Sequence, residues 1–505
     1  RSLIGTLGSA GTQVVNNGTL SIGATPATMI VNGAFVQSGS GVLNIPILPS
    51  TVPTAGSSFG QVYATGSNGT ASLGGTLNLV PTAGFYPTGS IYPVILADKG
   101  ITGSFASLTG TSLPFVQFVP LGVVTINGTQ QAYELQVERT ATYSQAIASV
   151  ATPNQIAVAT GFQPMVDYAS ANLGTDAASL VGLVDLLTIA QAQTFFDSVS
   201  PEGYAAYATA MRDQANLLLR KVTLRMTDQN SDHHETGWWL TGSHQFQFGS
   251  AQGYETKNGI TDVIGGYDLS GPHHVLGLSL GYSYDSLHYA PGSMIGHNAQ
   301  TQVAIYGAYT LGPIVASGQV GYEFGHIAAT KTITIGATTR TATASSPDHL
   351  LVAEGTLSLN AKAEGLLISP FVGIEYDHGS ITPFTEAGAD AADLTVNRID
   401  ASRTDLLLGA NITRAKGKWR PYARVAYRSE LGTDNAGTIS AYFNGDTTTS
   451  FTVAGLAAAR HEIDGDVGMN IVFDDEGGLF LGYQGTYRSD ALSSHGVMAG
   501  IRLEF

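Results

Sequence analysis

The chain has 505 residues with 62 glycines, 22 tyrosines, 19 phenylalanines and no cysteine; 12% of residues are charged, and the formal net charge is −16. That length leaves room for two or three domains. A phosphate backbone would need a concentrated Lys/Arg face that so acidic a chain lacks, which excludes nucleic acid as a partner. The missing cysteines exclude disulfides, thiolate metal sites and cysteine nucleophiles together, and suit a bacterial export route in which a free thiol would cross an oxidising periplasm. The first residue is Arg1, with neither a Met nor a signal peptide, so a processed or truncated product is expected.

Residues 1 to about 142 are rich in Gly, Thr, Asn, Val and Leu and nearly devoid of charge. A Gly-x-Leu-polar-aliphatic phrase recurs at Gly18-Thr19-Leu20-Ser21-Ile22, Gly41-Val42-Leu43-Asn44-Ile45 and Gly75-Thr76-Leu77-Asn78-Leu79. Short strands repeated in this way predict stacked rungs of a parallel β-helix, with an ordinary β-sandwich as the alternative. From residue 144 to 199 the alternation gives way to Ala, Gln and Leu at helical spacing. Leu180, Leu183, Val184, Leu187 and Ala190 share one helical face. Ser200 is then a candidate N-cap, with Pro201 at the first helical position and Glu202 in the first turn, for a helix running to about Thr227–Asn230.

No apolar run reaches the roughly 20 residues that a transmembrane helix needs. From Trp238 to Phe505, however, the period is two. Leu479, Leu481 and Tyr483 alternate with Gly482, Gln484 and Thr486; Val497, Ala499, Ile501, Leu503 and Phe505 alternate with Gly500, Arg502 and Glu504. Twelve such segments start near residues 237, 260, 274, 299, 313, 349, 366, 396, 418, 458, 478 and 494. Connections after the even segments are short ("SGPH", "LGP", "AEG", "RAKGK", "FDDEGG"). Those after the odd segments are expected to be long, such as "ATKTITIGATTRTATASSPD" and "LGTDNAGTISAYFNGDTTTS". Loops sorted by length onto two sides predict an antiparallel transmembrane β-barrel.

The two faces agree with that reading. Leu276, Leu278, Leu280, Tyr282, Val303, Ile305, Tyr309, Ile314, Val320, Tyr322, Leu406, Leu408, Val425 and Tyr427 form an apolar and aromatic set suited to lipid. The opposite set holds Glu323, Glu354, Glu375, Asp405, Arg420, Arg424, Arg428, Glu462, Asp464, Asp466, Arg488 and Arg502. A charge on the lipid side costs about 2–4 kcal/mol near mid-depth, so this set is assigned to a polar lumen, its carboxylates paired with arginines.

With these segments in order, the whole chain resembles the classical autotransporters of type V secretion (type Va). "GTLNLVPTAGFYPTGSIYPVILADKGITGSFASL" with "YELQVERTATY" is similar to the autochaperone end of a β-helical passenger. "ATPNQIAVA", "IAQAQTFFDSVSPEGYAAYATA" and "GVMAGIRLEF" are similar to the regions before and at the end of the translocator barrel. The resemblance implies an all-β fold with a helical insert. Residues 1–143 would be the C-terminal part of a right-handed parallel β-helix passenger, 144–199 a helical linker region, 200–230 a lumenal plug helix and 237–505 a twelve-stranded outer-membrane barrel. It also implies outer-membrane lipid, the barrel-assembly machinery and periplasmic chaperones as partners, a monomeric barrel, and a C-terminal assembly signal at Ile501, Leu503 and Phe505.

An even strand number starts and ends the barrel on one side, so a passenger on the other side must be reached through the pore. A barrel of this size holds roughly one helix, whose diameter is about 10–12 Å. A lumenal helix satisfies its own backbone, and its charges should complement the wall. Arg212, Arg220, Lys221 and Arg225 are expected to pair with carboxylates among Glu354, Glu375, Asp405, Glu462, Asp464 and Asp466, with Arg424 on the same wall. The alternative is an amphipathic helix docked on the passenger. In the secreted proteases of the family the plug helix carries a self-cleaving Asn-Asn pair; here Arg220 and Lys221 occupy that place, so the passenger is expected to stay attached.

"SDHHE" (231–235) and "GPHH" (271–274) hold adjacent histidines that diverge on an extended chain, which makes metal ligation a weak reading. No cofactor is expected, and no serine-nucleophile, zinc-protease, P-loop or dinucleotide motif occurs, so no enzyme is expected. The favoured function is secretion and surface anchoring of the chain's own passenger at the bacterial outer membrane. The alternatives are a small adhesin or aggregation factor that binds host or neighbouring cells, and the stub of an enzymatic passenger whose active site lies upstream of Arg1.

Overall fold

In the computed structural model, which describes residues 5–229, 236–250, 253–414, 416–432, 437–457, 459–473 and 477–504, the three Gly-x-Leu phrases lie in register as neighbouring strands. The N-terminal strands are β1 (Gly5–Asn16), β2 (Thr19–Ser21), β3 (Thr28–Gln37), β4 (Val42–Ile47), β5 (Gln61–Thr65), β6 (Ala71–Leu73), β7 (Thr76–Pro81), β8 (Ile91–Ala97), β9 (Ile101–Gly103), β10 (Ser107–Thr109), β11 (Val116–Asn127) and β12 (Gln130–Arg139). β2, β4, β7 and β10 form one parallel sheet in which Leu20, Leu43, Leu77 and Leu108 stack. Parallel pairing of successive rungs is the arrangement of a β-helix and not of an antiparallel sandwich.

Each rung repeats the same polar position beside its leucine. The Asn44 amide donates to the Ser21 hydroxyl at 3.0 Å, Asn78 donates to Asn44 at 3.0 Å, and Thr109 donates to Asn78 at 2.7 Å. This ladder satisfies the amides while the leucines fill the interior. A second sheet carries β3 between parallel partners β1, β5 and β6, and β8 hands over to the antiparallel hairpin β11–β12.

Residues 143–199 fold as α1 (Tyr143–Ile147), α2 (Pro153–Phe162), α3 (Met165–Ala171), α4 (Asp176–Val184) and α5 (Ile189–Val199). The face expected to run from Leu180 to Ala190 is split between α4 and α5, because Thr188 starts a new helix: its hydroxyl accepts from the Gln191 N–H at 3.3 Å. Thr142 with Gln145, and Thr152 with Gln155, make the same reciprocal cap. Ser200 ends α5; its hydroxyl accepts from the Glu202 N–H at 3.2 Å, a 3-10 turn covers Glu202–Tyr204, and α6 runs from Ala205 to Gln229. Ser200, expected as the N-cap of the long helix, is therefore the C-cap of α5 and bonds the first residue of a 3-10 turn, five residues before the α-helix begins at Ala205.

The remaining strands are β13 (Gly237–Phe248), β14 (Tyr254–Gly271), β15 (His274–Tyr289), β16 (Met294–Leu311), β17 (Ile314–Ile335), β18 (Thr338–Leu359), β19 (Ala361–Ala363), β20 (Leu366–Ile381), β21 (Phe384–Thr385), β22 (Leu394–Val396), β23 (Ile399–Arg414), β24 (Trp419–Glu430), β25 (Thr438–Phe443), β26 (Asp446–Ala454), β27 (His461–Phe473), β28 (Gly477–Arg488) and β29 (Ser493–Glu504). Twelve long antiparallel strands close on themselves: β13 pairs with β29 from Gly237↔Glu504 to Phe248↔Ser493, and β18 pairs directly with β20, the short β19 lying in the turn between them.

The loops correct one expectation. Residues 329–348 are not a loop, because β17 and β18 continue as a hairpin through Ile335 and Thr338. Residues 249–253, 290–293 and 489–492 are as short as the turns at the other end. The asymmetry rests on that hairpin and on two connections, 382–398 and 431–460, whose strands β21, β22, β25 and β26 make a separate four-stranded sheet. One apolar core runs from Leu20 through Phe162 and Phe195 to Ile333 and Phe451, so the strand stack, the helical layer and this barrel mouth are packed together.

Candidate functional site

Between Ala205 and Gln229 there is neither Gly nor Pro, and Ala, Leu, Met, Arg and Gln dominate, which favours a long helix. Leu218, Val222 and Met226 recur every fourth residue and pack on Trp239, Ile264, Tyr306, Ala308 and Val315 of β13 to β17. The rest of α6 is polar and still buried: Arg220 and Lys221 are 2% and 3% exposed. Its side chains bond to β14, β18, β20, β27 and β28, which surround it, so the helix occupies the lumen.

The four basic residues of the helix each meet a carboxylate. Arg212 lies 3.0 Å from Asp377, and Arg225 lies 2.5 Å from Asp268. Arg220 forks between Asp464 at 3.1 Å and Asp466 at 2.7 Å. Lys221 binds Asp262 directly and also donates to Ser243 at 2.8 Å. Asp213 of the helix reverses the polarity, accepting from Arg488 at 2.9 Å. Neutral contacts complete the seat. Thr223 donates to Glu354 at 3.0 Å, and Gln319 donates to Thr223 at 2.9 Å and to the Leu219 carbonyl at 3.1 Å. A buried charge pair fixes position more than it adds net stability, but losing one partner strands the other.

Of the wall residues named from the sequence, Asp464 and Asp466 meet a helix cation and Glu354 meets a helix hydroxyl. Arg488 meets Asp213 and Arg428 donates to Asn216 at 2.9 Å, both on the helix, while Glu375, Asp405, Glu462 and Arg424 pair within the wall. Glu375 binds Arg428, Asp405 binds Arg403 at 2.7 Å, Glu462 lies 3.7 Å from Arg403, and Arg424 lies 3.6 Å from Asp466 and faces the Phe371 ring. Sequence reasoning missed Asp262, Asp268 and Asp377. The signal was present, since Asp262, Ile264 and Asp268 share the inward parity of β14 and Asp377 that of Glu375.

The wall is also unevenly charged. Glu323 accepts from the Gln302 amide at 2.7 Å, and Asp348 from Asn298 at 2.7 Å and Gln300 at 2.8 Å. No salt bridge reaches Glu323, Asp348 or Asp285 among the described residues. The expectation that lumenal carboxylates pair with arginines therefore fails on β15 to β18, where side-chain amides serve Glu323 and Asp348 instead. Glu375, Asp377 and Asp405 hold oxygens within 4.8 Å of one another, but Arg428, Arg212 and Arg403 already neutralise them, which leaves no charge for a metal ion to balance. His273 and His274 sit exposed at the β14–β15 turn; the histidines of 231–235 fall outside the described residues.

Beside the helix a cavity of about 70 Å³, lined by Lys221, Leu224, Trp239, Tyr422 and Phe480 among others, has room for only a few waters. Outside, β15 presents Leu276, Leu278 and Leu280 at 50%, 61% and 61% exposure. Trp238, Tyr309 and Trp419 ring one rim; Phe246, Phe248 and Tyr487 ring the other, the aromatic belts of a lipid-facing surface. Ile501 and Leu503 face outward on β29, opposite Leu240 and Trp238; Phe505 lies outside the described residues.

Comparison with known proteins agrees on the barrel. Residues 238–484 match the family model described as the autotransporter β-domain. The chain is similar to the translocator domain of the autotransporter NalP from Neisseria meningitidis, at 14% identity over 60% of this chain and 98% of that one, with a TM-score of 0.45. The β domain of the Bordetella autotransporter BrkA matches at 18% identity over 54% and 100% of the two chains, TM-score 0.37. The transport unit of AIDA-I from Escherichia coli matches at 14% over 60% and 99%, TM-score 0.38. No curated protein matches the chain.

Proposed function

We propose that this chain, an autotransporter whose twelve-stranded β-domain sits in the bacterial outer membrane, carries its own N-terminal strand stack to the cell surface and keeps it there uncut. The barrel itself is a non-enzymatic transporter. The observation that carries the reading is α6: from the helical layer it runs down the lumen, from the Arg212–Asp377 pair to the Arg225–Asp268 pair at the end of the barrel where β13 starts. The stack, residues 1–143, is the passenger; 144–199 join it to the plug of 200–230, and 237–505 anchor it.

Arg220 and Lys221 stand where the self-cleaving relatives carry their asparagine pair, and both are held in buried ion pairs. A guanidinium and an ammonium have no side-chain amide to cyclise, so the helix stays whole. Ile501, Leu503 and Phe505 serve as the signal read by the barrel-assembly machinery. The charge-free ladder of Ser21, Asn44, Asn78 and Thr109 favours a second reading, in which the displayed stack adheres to host or neighbouring cells through neutral hydrogen-bonding groups.

An epitope inserted in the loop at residues 56–58 tests display. Antibody labelling of intact cells together with one full-length band on denaturing gels is the expected result. An unlabelled surface, or separate stack and barrel bands, would overturn the proposal.

A further inference from the structure

We infer that the helical layer α1–α5 is a clamp: a second, non-covalent anchor that grips the outer mouth of the barrel independently of the chain running down the lumen. The inference rests on the display reading and adds what holds the displayed unit in place. A spacer between two domains would be polar, flexible and free of specific contacts. This layer instead bonds to the β17–β18 hairpin, to the loop at 389–391, and to the β25–β26 hairpin.

The apolar part of the grip is on β25 and β26. Gly161 of α2 packs so closely that a Cβ there would lie 2.2 Å from the Phe451 ring. Phe162 meets Phe443 edge-on at 5.3 Å, and Phe443 stacks on Phe451 at 5.3 Å. Beside them the Asn154 side chain copies a strand: it accepts from the Ala454 N–H at 2.9 Å and donates to the Ala454 carbonyl at 3.0 Å. On the barrel's own side Gly445 leaves the room that Met165 fills; a Cβ there would stand 2.8 Å from its methyl carbon.

The polar part is on the hairpin and the loop. The Arg340 guanidinium, near the hairpin tip, forks onto Asp176 of α4 at 2.6 and 2.8 Å and donates to the Ala389 carbonyl at 2.9 Å. Asp176 also accepts from the Ala391 N–H at 3.0 Å, so one carboxylate ties α4 to two barrel segments. At the end of α5, Ser198 accepts from the Thr334 N–H at 3.1 Å and Lys331 donates to the Val199 carbonyl at 3.2 Å. Bidentate and charge-assisted bonds of this kind, around an apolar centre, are what a specific interface is built from.

The test uses the full chain with a site-specific protease sequence inserted between residues 232 and 233, purified in detergent and cut. The clamp predicts that the N-terminal fragment stays with the barrel after washing. It also predicts retention with Arg220→Gln, which weakens the seat in the lumen, and loss of the fragment when Arg340→Ala and Phe451→Ala are combined. Loss from the cut chain with an intact clamp would overturn the inference, and so would retention with both clamp residues replaced, because the plug alone would then be the anchor. Heat-modifiable gel migration verifies that each barrel is folded, and Arg340→Lys, which keeps the charge but not the fork, should release an intermediate amount. Surface labelling of the uncut chain separates failure of the clamp from failure of display.

Discussion

The strand stack and the barrel alternate with the same period and bury opposite residues. In the stack Leu20, Leu43 and Leu77 are 5%, 0% and 0% exposed. In β15 the leucines at 276, 278 and 280 face out, while Ser283 and Asp285 are fully buried. Period two therefore announces a strand with two unlike faces, but not which face is inside. The solvent on each side decides: water around the stack drives its leucines in, and lipid around the barrel leaves charge only the lumen.

Substitutions of one kind at both places sharpen the contrast. The largest effect is expected for Arg220→Glu, which sets a third buried carboxylate beside Asp464 and Asp466 and leaves them only the longer cation contacts of Arg428 and Arg424, at 3.5 and 3.6 Å. Breaking a buried pair costs about 3–5 kcal/mol, and the urea midpoint of the heat-modifiable barrel band should fall accordingly while the stack stays folded. Leu77→Ala empties a core position of the stack and should cost it about 2–5 kcal/mol, with no change in the barrel midpoint. Leu278→Arg should cost the barrel about 2–4 kcal/mol. Were the barrel water-soluble, the same exposed position would accept arginine at no cost, so an unchanged midpoint would break the comparison.

The smallest effect concerns Asp98, the first charge after Arg1. Burial pushes its carboxyl up, but the Gly66 N–H, the Gln130 amide and the Tyr63 and Thr65 hydroxyls, each at 2.9 Å, together hold it below the ordinary carboxylate value. A depressed folded-state value means that the ionised carboxyl stabilises the stack above the unfolded value near 4 and that this contribution fades as the pH falls through the folded value. Asp98→Asn should cost roughly 1 kcal/mol, discounted for solvent access, and should flatten the acid limb of the stack's melting curve. An acid limb unchanged by the substitution would remove Asp98 from that role.

Much of this was legible because parity is local. The expected strand starts at 237, 274, 366 and 478 fall within a residue of Gly237, His274, Leu366 and Gly477, and the inward charged set followed from the same counting. What parity cannot show is the partner across the lumen. Arg212, Lys221 and Arg225 met Asp377, Asp262 and Asp268 because helix rotation and barrel stagger, both tertiary, chose among several inward carboxylates. The helix breaks at residue 188 were readable, since Thr142, Thr152 and Thr188 each precede a Gln by three residues, but the apolar spacing across 180–190 outweighed that signal. The docking of α2 on β26 joins residues far apart in sequence, and nothing short-range announced it.

The most direct test of the central claim, that α6 fills the pore of a surface-displaying barrel, is the single-channel conductance of the reconstituted chain with Arg220→Glu and Arg225→Glu together. Both substitutions turn a buried attraction into a repulsion from Asp464, Asp466 and Asp268. A seated plug predicts a folded, heat-modifiable barrel that conducts more than the unsubstituted chain. A folded barrel whose conductance is unchanged would contradict it.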